Sequence, residues 1–398
     1  MASSLSMVAS PLTVVSLLVA SASIMSGGGG GAQAQPIVPA VISFGDSTID
    51  VGNNNYLPGA VFKADYAPYG QDFVRHEATG RFSDGKIVTD ITGCYATTTL
   101  DAYSVDCSGY DGGCVTNEFV LWVVAAAETL GFESYAPPYL SPQASGKNLL
   151  IGANFASAAS SYYDDTAAMY DAITLTQQLK YYKEYQSKLA AVAGRAKARA
   201  ILTDALYVVS TGTGDFLQNY YHNASLSRRY NVDQYCDLLV GTFSDFANEL
   251  YRLGARRIGV TSMPPLGCLP ASIRLYGEGK DACVPRLNRD AETFNEKLNA
   301  TVKALKRRHA HLKIAIFDIY TPLRELAQHP AAYGFANARD TCCQTGTAKT
   351  RVYLCNPTTA GTCRNASSYV FFDAVHPSEA ANVFMAESMI EAGIELVT

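Results

Sequence analysis

The sequence predicts an α/β protein, a doubly wound sheet of five parallel strands with helices on both faces. Three observations predict it: short apolar runs alternate with longer amphipathic stretches, the runs have the length of strands, and polar residues of chemical interest stand where apolar runs stop. In such sheets ligands bind beyond the carboxyl ends of the strands, so the third observation agrees with the first two.

The strands are expected at residues 39–44, 149–155, 205–210, 257–262 and 313–319. Amphipathic stretches at 175–193, 232–253, 285–308 and 377–392 are expected to be helices. The third of these starts at Pro285, whose missing N–H does no harm in a first helical turn. No repeat of solenoid period and no Pro-, Gly- or Ser-rich linker divides residues 35–398, which are therefore read as one domain.

The balance of 31 Lys and Arg against 36 Asp and Glu leaves a formal charge of -5, which offers no attraction for a phosphate backbone or an anionic lipid surface. Nucleic acid is thus excluded as a partner class. The one long membrane-like stretch is N-terminal: Met7 to Met25 is apolar and small, and a glycine run leads to Ala32-Gln33-Ala34, which fits an A-x-A cleavage site. Residues 1–34 are read as a secretory signal peptide, although they lack the usual early Lys or Arg; an uncleaved anchor and a plastid transit peptide are the competing readings. The rest is expected to have no stable membrane span and to be a secreted monomer, extracellular or in the cell wall. Sequons at Asn223, Asn299 and Asn365 agree with a glycosylating compartment.

Ten cysteines suit that compartment if most are paired. Cys268 with Cys283, and the group Cys342, Cys343, Cys355 and Cys363, are spaced for local bridges, with the connectivity left open. Zinc competes for the second group, but paired C-x-x-C knuckles are missing. Cys236 stands in a helical pattern and reads as a buried free thiol.

Residues 93–126 do not fit the rest: they contain no Lys or Arg, yet hold Cys94, Cys107, Cys114 and the only tryptophan, Trp122. Joining Thr92 to Ala127 restores an uninterrupted amphipathic pattern, GKIVTDIT-AETLGF. The segment is read as an atypical insertion from a translated retained intron or a faulty gene model, with a tolerated surface insertion as the alternative. If it is present, its apolar tail EFVLWVVAAA must pack or become an aggregation liability.

Chemistry is expected at the two ends of the remaining chain. The first strand ends in VISFGDSTIDVGNN, which puts Ser47 in a turn directly after an apolar run and beside Gly45. A serine there can offer both hydroxyl and N–H to an ester carbonyl; helix capping is the plainer reading of the same tripeptide. Near the other end, YVFFDAVHPSEAANVF sets Asp373 and His376 three residues apart. That spacing lets a carboxylate hold imidazole Nδ1 so that Nε2 can accept a serine proton. A helix entrance capped by Asp373 is the plainer reading here, and only the two ends together supply nucleophile, base and orienting acid.

At these residues the chain resembles the plant GDSL esterase/lipase family, a branch of the SGNH hydrolases. The blocks GDSTIDVGNNNYLP, TGRFSDGKIVTD, GANFASAAS, STGTGDFLQNYY, RIGVTSMPPLGCLP, LCN and FFDAVHPSEAAN follow the family's order across nearly all of the chain outside the insertion. The resemblance implies a flavodoxin-like three-layer α/β/α sandwich and hydrolysis of carboxylic esters through an acyl-enzyme, with no metal and no organic cofactor. It assigns Ser47 as nucleophile, His376 as general base then acid, and Asp373 as its orienting partner. Lipid, cutin-like and acetylated polysaccharide esters are all open as substrates. Acyl transfer to an alcohol, and a catalytically weak extracellular binding glycoprotein, are the alternatives.

The oxyanion site departs from the family pattern. Where the family has an asparagine in G-T-N-D-F, this chain has Gly214, and the glycines expected after N-F-A-S are Ala158 and Ala159. An alanine keeps its N–H and can still donate if the backbone does not require positive φ, whereas Gly214 has lost a side-chain donor, so Ser47, Ala158, Ala159 and Gly214 form an incomplete donor set. Loss of one such donor costs about 10² to 10³ in kcat, which predicts a slow or narrow esterase unless a nearby group substitutes.

The remaining motif residues have structural readings. Asp50 and Asn53 are expected to order the turn after Ser47 by local hydrogen bonds, and Asp215 to cap or brace the loop after its strand. His76, His222, His309, His311 and His329 read as solvated surface residues, and the pairs Tyr162-Tyr163 and Tyr181-Tyr182 as core and surface unless they line a substrate site.

Overall fold

The computed structural model describes residues 37–93, 135–346, 353–358 and 361–397. The expected signal peptide and nearly all of the expected insertion lie outside the described residues.

Strands β1 (Val41–Gly45), β2 (Gly152–Asn154), β3 (Leu206–Ser210), β4 (Arg257–Thr261) and β5 (Lys313–Phe317) form one parallel sheet in the order β2-β1-β3-β4-β5. This is the flavodoxin-like order, whose direction of winding reverses between β1 and β3. The two central strands are buried at every residue, as required of a sheet covered on both faces. Gly45 pairs with Ser210, so the segments leaving β1 and β3 emerge side by side at the crevice. No side chain fits at that exit: Gly45 has φ 146°, and a Cβ there would lie 1.8 Å from Ser210 O.

The helices that matter for the site are, in chain order, α1 (Val88–Gly93), α2 (Asp164–Ala168), α3 (Leu175–Ala193), α4 (Arg195–Asp204), α5 (Ala224–Arg229), α6 (Val232–Arg252), α7 (Pro270–Tyr276), α8 (Pro285–Arg308), α9 (Tyr320–Gln328) and α10 (Glu379–Val397). Local chemistry sets their ends. Thr174 caps α3 by accepting the Gln177 N–H, Asn231 and Gln234 form a reciprocal capping box on α6, and Lys306, Arg307 and Arg308 complement the dipole at the end of α8. Phe44 of β1 stacks on Phe155 and meets the edges of Tyr182 on α3 and Phe246 on α6, which joins these helices to one face of the sheet. Helix α8 packs on α6 and β5, while α10 packs on α1, β4 and β5.

Two elements differ from expectation. Strand β2 has only its last residues in the sheet, because 146–151 form a 3-10 turn whose Leu149 carbonyl is taken by the Tyr185 hydroxyl of α3 at 2.8 Å. Helix α10 starts at Glu379 rather than Pro377: Ser378 Oγ accepts the Ala381 N–H and is the cap, a role that Asp373 does not fill.

The cysteines pair as Cys268–Cys283, Cys342–Cys363 and Cys343–Cys355. All four members of the group that zinc competed for are therefore in disulfides. Neighbours in an extended segment point to opposite sides, which is why Cys342 and Cys343 take different partners in a nested arrangement. Cys236 is a buried free thiol, pushed up to about 12 by burial. Among the described residues no helix is long and apolar enough to cross a membrane.

Candidate active site

Ser47 stands in the turn just past β1, at the winding reversal. Its hydroxyl lies 2.7 Å from His376 Nε2, across 329 residues of sequence. His376 Nδ1 is 2.8 Å from Asp373 Oδ2 and 2.9 Å from Oδ1. Asp373 is fully buried and His376 nearly so, while Ser47 keeps partial access to solvent. The Asp373 carboxylate also accepts the N–H groups of Val375 and His376 at 2.9 and 2.7 Å through Oδ1, which folds the short loop back upon itself. A hydroxyl, an imidazole and a buried carboxylate in this order can move a proton from oxygen to Nε2 while the carboxylate holds the ring and its charge.

Two residues that the sequence reading missed complete this arrangement. The Tyr69 hydroxyl donates to Asp373 Oδ2 at 2.7 Å and accepts the Cys355 N–H at 3.0 Å. Burial, with Asp373 alongside, pushes that hydroxyl well above its usual range and so keeps it a donor. The Phe82 ring lies against His376 with centroids 4.9 Å apart. Neither residue had a legible signal, since both meet the Asp373–His376 loop from about 300 positions away in the chain.

The segment after β2 is held by groups from the Ser47 turn. Asp50 Oδ1 accepts the N–H groups of Gly52 and Asn53, as a local turn would, but Oδ2 reaches the Ala158 N–H at 3.0 Å. Burial lifts the Asp50 carboxyl to about 6 against these donors. Asn53 is not local at all: its Nδ2 donates to the carbonyls of Asn154 and Ala156, and its Oδ1 accepts the Leu140 N–H. The Ala158 N–H is therefore engaged by Asp50 and leaves the expected oxyanion donor set. Ala159 remains, with φ 72°, and among the described residues nothing accepts its N–H or that of Ser47.

Asp215 braces the 162–166 segment rather than its own loop, accepting the N–H groups of Tyr162 and Tyr163 and the Thr166 hydroxyl. Burial raises its carboxyl to about 7. Tyr162 and Tyr182 are core residues, the first stacked on Phe294. His76, His222, His311 and His329 are exposed, but His309 is half-buried, stacked on Tyr251 and bonded to Asn248. Of the sequons, Asn299 and Asn365 are exposed and Asn223 is half-buried, its side chain capping α5.

Ser47, His376, Ala159, Gly214 and Gln218 line one recess, together with Tyr353 and Leu354. A second, narrow recess shares Thr48, Phe82, Thr213 and His376 with the first and continues between Ile87, Leu269, Ile319, Leu323 and Met385. A recess carrying polar groups thus adjoins an apolar slot.

Residues 41–389 match the family model described as GDSL-like Lipase/Acylhydrolase. Similar proteins of Arabidopsis thaliana include GDSL esterase/lipase APG, 51% identical over 361 residues that cover 91% of this chain and 92% of that one. GDSL esterase/lipase At5g22810 is 48% identical over 369 residues, 92% of each chain, and GDSL esterase/lipase At5g03820 is 48% identical over 366 residues, 92% of this chain and 93% of that one. On these matches the chain belongs to the GDSL esterase/lipase family and is a hydrolase of carboxylic ester bonds.

Proposed function

We propose that this esterase is secreted and works through an acyl-enzyme on Ser47, with His376 as base and then acid and Asp373 as its orienting partner. The observation that carries this reading is the continuous chain Ser47 Oγ, His376 Nε2, His376 Nδ1, Asp373, with 2.7 and 2.8 Å links. Ser47 Oγ attacks the ester carbonyl carbon as its proton passes to His376 Nε2, and the carbonyl electron pair moves onto oxygen. Collapse of the tetrahedral species expels the alcohol, which takes the proton from Nε2. Water then repeats the sequence on the acyl-enzyme and regenerates Ser47.

The apolar slot beside His376 receives the acyl group in this reading, and the ester is a lipid, a cutin-like polymer or an acetylated polysaccharide. Secretion is supported by the three disulfides and by the leader-like residues 1–34. Residues 35–398 are taken as one monomeric hydrolase domain carrying glycans at Asn223, Asn299 and Asn365, with 93–126 as a segment from a retained intron. Transcripts in which codons 93–126 are always present in the mature message would remove that last point.

The test is hydrolysis of p-nitrophenyl butyrate by the secreted protein, with and without residues 93–126, beside Ser47→Ala. The Ser47→Ala variant is expected to lose about 10⁴-fold or more in kcat, the scale at which a triad nucleophile acts. Turnover that survives the substitution would overturn the acyl-enzyme reading.

A further inference from the structure

Gly214 does not leave a gap. A Cβ built there would lie 2.8 Å from Gln218 Oε1 and 2.8 Å from Ser161 Oγ, closer than real Cβ atoms approach. The place where a side chain at 214 would begin is thus already flanked by an amide and a hydroxyl. Both atoms are buried, and among the described residues neither has a hydrogen-bond partner. Buried polar atoms without partners are rare, and where they persist beside a reaction centre the reason is sought in the ligand.

Local backbone geometry brings Gln218 there. Residues Asp215–Tyr220 form a π-helical turn in which the Tyr221 N–H reaches the Phe216 carbonyl, a widened turn of the kind that recurs at functional sites. Gly214 and Gln218 therefore line the same recess as Ser47, Ala159 and His376. Gln218 leaves the backbone four positions after Gly214 and is one methylene longer than an asparagine, so its amide enters the space that an asparagine at 214 would have filled.

We propose that Gln218 is a catalytic residue: its amide N–H₂ is the side-chain oxyanion donor of this enzyme, acting with the N–H groups of Ser47 and Ala159. The proposal rests on the acyl-enzyme reading above. As the carbonyl oxygen of the ester gains charge, the amide turns its Nε2 to that oxygen, and Oε1 turns toward a donor such as the Ser161 hydroxyl. A glycine at 214 then leaves room for the amide, which a Cβ there would push aside.

The experiment compares the full-length secreted protein with Gln218→Ala, Gln218→Glu, Gly214→Asn and the Gln218→Ala/Gly214→Asn pair. Each is assayed for kcat and KM on p-nitrophenyl butyrate and for inhibition by a trifluoromethyl ketone, which mimics the tetrahedral intermediate. Gln218→Ala and Gln218→Glu are expected to lower kcat by about 10² to 10³ with little change in KM, and to weaken the ketone in parallel. Gly214→Asn alone brings no gain, whereas in the Gln218→Ala background it restores at least about tenfold of the loss. The near-isosteric Gln218→Glu and a melting curve for each variant separate lost chemistry from lost folding.

The proposal is overturned if folded Gln218→Ala or Gln218→Glu keeps its kcat, or loses only in KM, or if Gly214→Asn alone accelerates the enzyme. In those cases Ser47-dependent turnover of the wild type leaves the acyl-enzyme reading standing. A wild type with no Ser47-dependent turnover overturns both.

Discussion

The carboxylate of Asp373 has four hydrogen-bonding partners, and only three of them lie in its own loop. The fourth, Tyr69, bears on the orientation of the acid and thus of the imidazole. Hydrogen bonds to charged groups are worth about 1.5 to 3 kcal/mol, so Tyr69→Phe is expected to lower kcat by about tenfold or more while leaving KM nearly unchanged. An equal rise in KM instead would mean that Tyr69 shapes the recess and does not position Asp373. At this scale the chain's own spacing pointed to the Asp373–His376 contact that the structure contains, because three residues suffice to close it. It was a poor guide for Ala158: no spacing shows that Asp50, 108 residues away, holds its N–H. Gln218 lies between these cases. An amide four positions after the missing amide is visible in GTGDFLQ, but that it turns back toward Gly214 depends on the π-helical turn.

Among the elements, the nested disulfides tie the site together. Cys343–Cys355 fixes the strand-like segment whose Leu354 walls the recess and whose Cys355 N–H meets the Tyr69 hydroxyl, while the Tyr353 hydroxyl anchors it to the Leu217 carbonyl at 2.9 Å. Replacing both cysteines by alanine releases a loop of 12 residues, for which chain entropy predicts a loss of about 3 kcal/mol. Because the same segment supports Tyr69, kcat at low temperature is expected to fall along with the melting temperature. A lowered melting temperature with unchanged kcat would separate the disulfide from the site. The four expected helices were legible to within a few residues because caps and periodicity are local properties, and α3 and α8 run between the expected limits. Strand β2 was overestimated because an apolar run does not tell whether its carbonyls will face a neighbouring strand or a tyrosine from α3.

Across the whole molecule, burial of acids that form no ion pair among the described residues sets the response to pH. Asp50 is lifted to about 6 and Asp84, Asp215 and Glu387 to about 7, each chiefly by burial. A folded-state value above the unfolded one means that the native chain holds more protons, so their stabilising contribution is full below about pH 4 and is lost as pH rises through 6 to 7. The melting temperature is therefore expected to be higher at pH 5 than at pH 8. Asp84→Asn, whose oxygen can still accept the Glu379 N–H that Asp84 accepts at 2.8 Å, should flatten that slope with little loss at pH 5. A wild-type melting temperature that rises between pH 5 and pH 8 would contradict this account. The sequence by itself determined the α/β class, the five strands and the contact between Asp373 and His376, because strand and helix periodicity and the tight Asp373–His376 spacing act over a few residues. Only the tertiary structure decided which N–H groups stay open to an oxyanion, which amide stands beside Gly214 and which hydroxyl braces Asp373. The contacts of Asp50 and Tyr69 join segments far apart in the chain, the approach of Gln218 to Gly214 depends on a π-helical turn, and burial, not spacing, determines which polar groups are left without a partner.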